Sequence, residues 1–290
     1  MRWKGRRKST NVQDRRGQSG RRGPVRMPGG GRGGKVGGGF AIIAIIVALL
    51  LGVDPTQLLN LVGEPGAVMP QAPTERSAPV AGDEEAERAS VVLASTEDAW
   101  GRIFQEAGGR YRAPDMVLFT DGVESACGYT SSATGPFYCP GDSQVYLDLG
   151  FFRELARMGG SGDFATAYVI AHEVGHHIQN LTGVHDQVRQ MRGRMSQTQS
   201  NALSVRVELQ ADCYAGVWAH YAARDGDFLE QGDLEEGLRA AAAIGDDRLQ
   251  RMAGRRVQPE SFTHGSSEQR QEWFTRGLRS GDYQTCDTFN

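Results

Sequence analysis

The chain has 290 residues, 32 Lys and Arg against 35 Asp and Glu, and a formal net charge of −3. That length leaves room for a membrane anchor and one domain of roughly 200 residues, which excludes a fold so small that it needs a metal or a disulfide merely to form. The near-zero total hides a split: residues 1–53 hold twelve of the bases and one acid, Asp14, for a net +11, while the rest carries −14 and all its bases are Arg.

Residues 1–35 are rich in Arg and Gly and poor in large apolar side chains, so they are expected to form a disordered, basic cytoplasmic tail. Such a tail can hold nucleic acid by charge. An apolar segment follows at once, however, so the bases are read as setting membrane orientation and nucleic acid is not expected as a partner. Val36–Val53 is uncharged over 18 residues, with an unbroken apolar run from Phe40 to Leu51. It is expected to be a transmembrane anchor, at the short end of what spans a bilayer. The bases before it would keep the N-terminus cytoplasmic and place the domain on the periplasmic or extracellular side, as a single-pass protein of the cell membrane. The rival is a cleaved signal peptide, disfavoured by the long charged region and by the lack of a small-x-small site directly after the apolar run.

Residues 54–90 are rich in Pro, Ala, Gly and Glu, with Pro65, Pro70, Pro73 and Pro79, and read as a linker. A folded domain is expected over residues 91–290. Ser95 with Asp98 forms a capping signature, and Trp100, Ile103 and Phe104 give one apolar helical face. Met116–Phe119 reads as a buried strand. Turn signals at Gly135-Pro136 and Pro140-Gly141 separate Phe137-Tyr138 from Val145–Leu147 and suggest a hairpin or two short strands. Helices follow over about 163–182, with Asp163 as cap and Gly183 as stop, then 199–223, 233–244 and 267–278. The polar stretch 191–201 between two of them is a candidate flap. A small sheet followed by helices gives an α+β domain, mainly helical.

The four cysteines, Cys127, Cys139, Cys213 and Cys286, all follow the anchor. An even number on an oxidising side permits two disulfides. Cys127 and Cys139 flank a turn and could close a short loop; Cys213 with Cys286 is then the remaining pairing. A buried free thiol is the alternative for each.

His172-Glu173-Val174-Gly175-His176 is an H-E-x-x-H pattern. On a helix, residues four apart are offset by only about 40°, so two imidazoles can converge on one ion. Neutral nitrogens suit Zn²⁺, and Glu173 is placed to accept a proton from a water that the metal has acidified. A catalytic zinc needs a third protein ligand and an open position. Glu208, on the helix over 199–223, can supply the ligand. Asp212, one turn on, can accept a hydrogen bond from the far nitrogen of a ligating imidazole. His177 lies about 100° around the helix from His176 and reads as a core or rim histidine. His185 and His220 have no geometric case. His264, in a Gly/Ser-rich turn before the last helix, could donate to an oxyanion, with a helix-entry role as the alternative. Tyr146 and Arg270 are weaker candidates for the same part.

The order His-Glu-x-x-His then Glu-x-x-x-Asp resembles the gluzincin metallopeptidases. More closely, the chain resembles the bacterial neutral zinc metallopeptidase family. The likeness rests on Gly135–Pro140, Val145–Asp148, Tyr168–His177, Glu208–Cys213 and Phe262–Ser267. It implies a zincin-like fold, one Zn²⁺ per chain on His172, His176 and Glu208, and the base role on Glu173. The expected activity is hydrolysis of a peptide or protein substrate; a membrane-anchored scaffold with structural zinc is the alternative, and substrate preference and oligomeric state are left open.

Overall fold

The computed structural model describes residues 1–17, 82–193 and 195–289. Their elements in chain order are β1 (Val12–Asp14), α1 (Glu84–Glu106), β2 (Asp115–Phe119), β3 (Gly122–Ser125), β4 (Gly128–Ser131), β5 (Phe137–Cys139) and β6 (Gln144–Asp148). The helices α2 (Phe151–Arg157), α3 (Asp163–Leu181), α4 (Val184–Arg192), α5 (Gln197–Arg224), α6 (Asp233–Ala243), α7 (Asp246–Met252) and α8 (Ser267–Ser280) follow. The fold is α+β and mainly helical, as expected. One sheet has the order β1-β2-β6-β5, with β1, β2 and β6 parallel and β5 antiparallel at the edge; β3 and β4 form a separate hairpin.

The core forms where α3 packs against α1, α5, α6 and the sheet. Helix α3 is buried along nearly its whole length, with Phe164, Tyr168, Ile170, Val174 and Ile178 in the core and the polar side chains of His172, Glu173, His177 and Gln179 buried as well, so it runs through the interior. Helix α8 lies close along α5. A Cβ on Gly277 would sit 1.9 Å from the Cys213 carbonyl oxygen, and one on Gly216 would sit 2.0 Å from that of Phe274. Only glycine permits that approach.

Several expectations are corrected. Helix α1 starts at Glu84, inside the stretch expected to be linker, because Asp83 caps it by accepting from the Ala86 amide at 3.1 Å. Ser95 is mid-helix and accepts from the Trp218 indole at 3.1 Å instead. Asp163 does not cap α3; its N-cap is Gly162, and the Phe164 amide donates to Glu236 on α6 at 3.1 Å. The supposed flap holds the end of α4 and the start of α5, which a Ser196/Gln199 capping box fixes.

Residues 1–17 are not a disordered tail. Trp3 is buried, and its indole donates to Asp163 at 3.0 Å. Strand β1 pairs with β2 in the register Val12–Met116, and the Ser9 hydroxyl and Asn11 amide both donate to Glu97. Arg6 stacks on Phe228 at 4.7 Å. The averaged composition of residues 1–35 concealed two anchoring side chains, Trp3 and Val12, and bases that match an acidic body. Arg16 bridges Asp14 and Asp83 at 2.6 and 2.5 Å, so residues on either side of the 18–81 stretch touch.

Among the described residues no helix is long and apolar enough to cross a membrane. The expected anchor at 36–53 and most of the expected linker lie outside the described residues. A single crossing there would put Trp3 and Asp163 on opposite faces of a bilayer, whereas this fold needs them on one.

Candidate metal centre

His172 and His176 project from α3 towards Glu208 on α5. Glu208 Oε2 is 3.2 Å from His172 Nε2, and Oε1 is 3.5 Å from His176 Nε2. One ligand atom from each of the three lies within 4.8 Å of the others. Each of the two gaps, made to a different Glu208 oxygen, is close to the about 3.3–3.4 Å that a tetrahedral ion with bonds of ~2.0–2.1 Å sets between its ligands. Gly175 makes this possible. A Cβ there would meet the Ala211 carbonyl oxygen at 2.9 Å, so the bare glycine lets α3 approach α5.

The far nitrogens are also engaged. His172 Nδ1 donates to Asp212 Oδ1 at 2.8 Å, and His176 Nδ1 donates to Gln179 Oε1 at 2.8 Å. Each ring thus faces an acceptor at both nitrogens. Burial opposes charging the rings, yet Asp212 and Glu208 outweigh it, raising His172 to about 10 and lifting His176. Burial also opposes the Glu208 charge, but His176 and His172 hold its carboxyl well below the usual range. The pocket is built for positive charge between these groups. A divalent cation supplies it without extra ring protons, and two imidazoles with a carboxylate are a donor set that zinc accepts.

Asp212 is fully buried and accepts four hydrogen bonds. Besides His172, the Tyr168 hydroxyl donates at 2.5 Å, and Arg270 donates through Nε at 2.8 Å and Nη2 at 3.0 Å. Arg270, on α8, is itself buried. Burial works against the Asp212 charge, and Arg270 with His172 more than offsets it, lowering that carboxyl. Glu173, beside the ligands, is buried, and burial raises its carboxyl although the neighbouring imidazoles pull the other way.

His264 lies in the turn before α8, close enough to Glu208 for its charge to lower that carboxyl. Its Nδ1 lies 3.2 Å from Asp246 Oδ1. Asp246 Oδ2 also accepts from the amides of Thr263, His264 and Gly265, fixing that turn against the start of α7. A Cβ on Gly265 would lie 3.2 Å from Leu209. Burial lowers the His264 imidazole, but Asp246 and the charge of Glu208 raise it on balance.

The remaining candidates fall outside. His177 bonds Tyr138 at 3.0 Å and the Arg112 carbonyl at 2.6 Å, and burial drops it to about 4, as suits a neutral core histidine. Tyr146 bonds Asp142 at 2.8 Å in a separate small cluster. His185, discounted in the sequence, contacts the His176 carbonyl at 3.0 Å. Both disulfides form as paired above, Cys127–Cys139 and Cys213–Cys286. Sequence reasoning missed Gln179, Gln210, Tyr168 and Asp246. Tyr168 and Gln179 share the ligand helix at spacings of four before His172 and three after His176, the one signal that could have exposed them.

A family described as "Putative neutral zinc metallopeptidase" matches residues 1–289. The chain is 49% identical over 296 residues to the uncharacterized protein YpfJ of Escherichia coli K12, covering 100% of this chain and 99% of that one. It is 40% identical over 266 residues to the uncharacterized protein Mb2605 of Mycobacterium bovis, covering 84% of this chain and 85% of that one. No solved structure matches. The chain therefore belongs to the neutral zinc metallopeptidase family.

Proposed function

We propose that this protein hydrolyses peptide bonds with one zinc ion on His172, His176 and Glu208. The observation that carries this is the convergence of two Nε2 atoms and one carboxylate beside Glu173, which is buried and makes no side-chain hydrogen bond or ion pair among the described residues. Zinc bound there supplies a Lewis acid that polarises a carbonyl and lowers the pKa of water at the open position. Glu173 takes the proton from the attacking water. Its burial raises its proton affinity, which suits it to carry that proton to the leaving amine. His264, oriented by Asp246, is the donor to the developing oxyanion. Asp212 holds the His172 ring, and Arg270 holds Asp212.

A zincin-like arrangement belongs to the same reading, supported by the antiparallel edge strand β5 beside α3, which could pair with an extended peptide. Two disulfides support work in an oxidising compartment. Attachment to a membrane through residues 36–53 is part of the proposal only in a form that leaves residues 1–17 beside the domain.

The test is zinc content and peptide hydrolysis of the full chain and of Glu173→Gln. The expected result is about one zinc in both and cleavage only in the unmutated protein. Equal cleavage would remove Glu173 from the reaction, and zinc without any cleavage would favour a scaffold.

A further inference from the structure

The buried polar groups behind His176 form a continuous chain. His176 Nδ1 meets Gln179 Oε1 at 2.8 Å. Gln179 Nε2 donates to the Val207 carbonyl at 2.7 Å and to Gln210 Oε1 at 3.1 Å. Gln210 Nε2 donates to the Cys286 carbonyl at 3.1 Å. Cys286 is bonded to Cys213, next in sequence to Asp212. Gln179 is completely buried and Gln210 nearly so.

The direction of this chain is forced. A backbone carbonyl only accepts, so Cys286 compels Gln210 to present its amide nitrogen there and its oxygen to Gln179. Val207 likewise compels Gln179 to present its nitrogen to α5 and its oxygen to His176. The ring can then only donate from Nδ1, which leaves the Nε2 lone pair aimed at the shared point with Glu208. The Val207 contact does a second thing. It ties α3 to α5 one residue before Glu208, so the same amide sets the ring's tautomer and the gap between the two ligand-bearing helices.

We propose that Gln179, oriented by Gln210 and anchored at the disulfide-bonded Cys286, is the positioning residue that fixes His176 as a metal ligand. It plays for His176 the part that Asp212 plays for His172, with a neutral amide in place of a carboxylate. The inference rests on the zinc reading above and adds to it a second, uncharged support.

The experiment uses the full chain, unmutated and as Gln179→Met and Gln210→Met. It reads zinc affinity by chelator competition and the visible absorption of the cobalt-substituted protein. Gln179→Met should bind zinc roughly 10–100-fold more weakly, with shifted cobalt bands, and Gln210→Met should show a smaller loss in the same direction. A folded Gln179→Met with unchanged affinity and an unchanged cobalt spectrum overturns the proposal. If Gln179→Met does not fold, Gln210→Met decides, since it leaves the Val207 contact in place: weaker zinc binding supports the relay and unaltered binding overturns it. An unmutated chain that binds no zinc defeats the metal reading itself, and this inference with it.

Discussion

Arg270 grips Asp212 through two nitrogens, at 2.8 and 3.0 Å, and both side chains are buried. The carboxylate that orients His172 is thus held by a cation delivered from another helix. Removing the cation strands a buried charge, so Arg270→Met should cost ~3–5 kcal/mol in urea unfolding of the metal-free protein. Arg270→Lys should recover only part, because an ammonium cannot make the bidentate contact. Equal stability of all three forms would contradict this account of the pair.

Delivery of Arg270 depends on helix contact at Gly277. Gly277→Ala places a Cβ where the Cys213 carbonyl stands, at 1.9 Å, and neither backbone can rotate away. A loss of at least ~1–3 kcal/mol is expected, with weakened zinc binding because α8 must shift relative to Asp212. Thermal unfolding and chelator competition measure the two effects, and normal values in both would show that the helices have slack.

The Asp246–His264 pair gives a pH dependence with a defined sign. Despite burial, Asp246 raises the imidazole above its usual 6.5, so the ring keeps its proton into more alkaline solution. Asp246→Asn should move the alkaline limb of kcat/KM to lower pH and leave the acid limb in place. The Asp246 carboxyl is lowered against its burial by His264 and backbone amides, so its stabilisation is present above its unfolded value of 3.8 and is lost as pH falls through the folded value. The stability gap between the two proteins should accordingly close in acid. An alkaline limb at the same pH in both would remove His264 from the rate-determining chemistry.

The docked N-terminus is testable without reference to activity. Trp3→Ala should destabilise the domain by ~3–5 kcal/mol, the usual cost of emptying a buried Trp site. In cells making the full chain, a cysteine placed at Thr10 and one placed on the domain surface should react from the same side of the membrane. Labelling from opposite sides would mean that β1 is undocked in the cell.

The convergence of His172, His176 and Glu208 was legible because a helix imposes its period: four-residue spacing at His172/His176 and at Glu208/Asp212 puts each pair on one face, and that requirement survives any tertiary context. The major helices and the strands β2, β5 and β6 were legible for the same reason, since periodicity and turn residues act locally. Asp246, Gln210 and the full part of Arg270 were not. Each acts on a group distant in sequence, Asp246 on His264, Gln210 on Gln179 and Arg270 on Asp212, where no local spacing can mark the pair. Residues 1–17 were misread because Trp3 and Val12 are few among many bases, and only the acidic surface they meet shows why they fold.

The most direct measurement is a crystal structure of the zinc-loaded chain with anomalous diffraction at the zinc edge. The account predicts one peak, about 2.0–2.1 Å from His172 Nε2, His176 Nε2 and a Glu208 oxygen, with no fourth protein ligand. A peak elsewhere, or one closed by a fourth side chain, would contradict it.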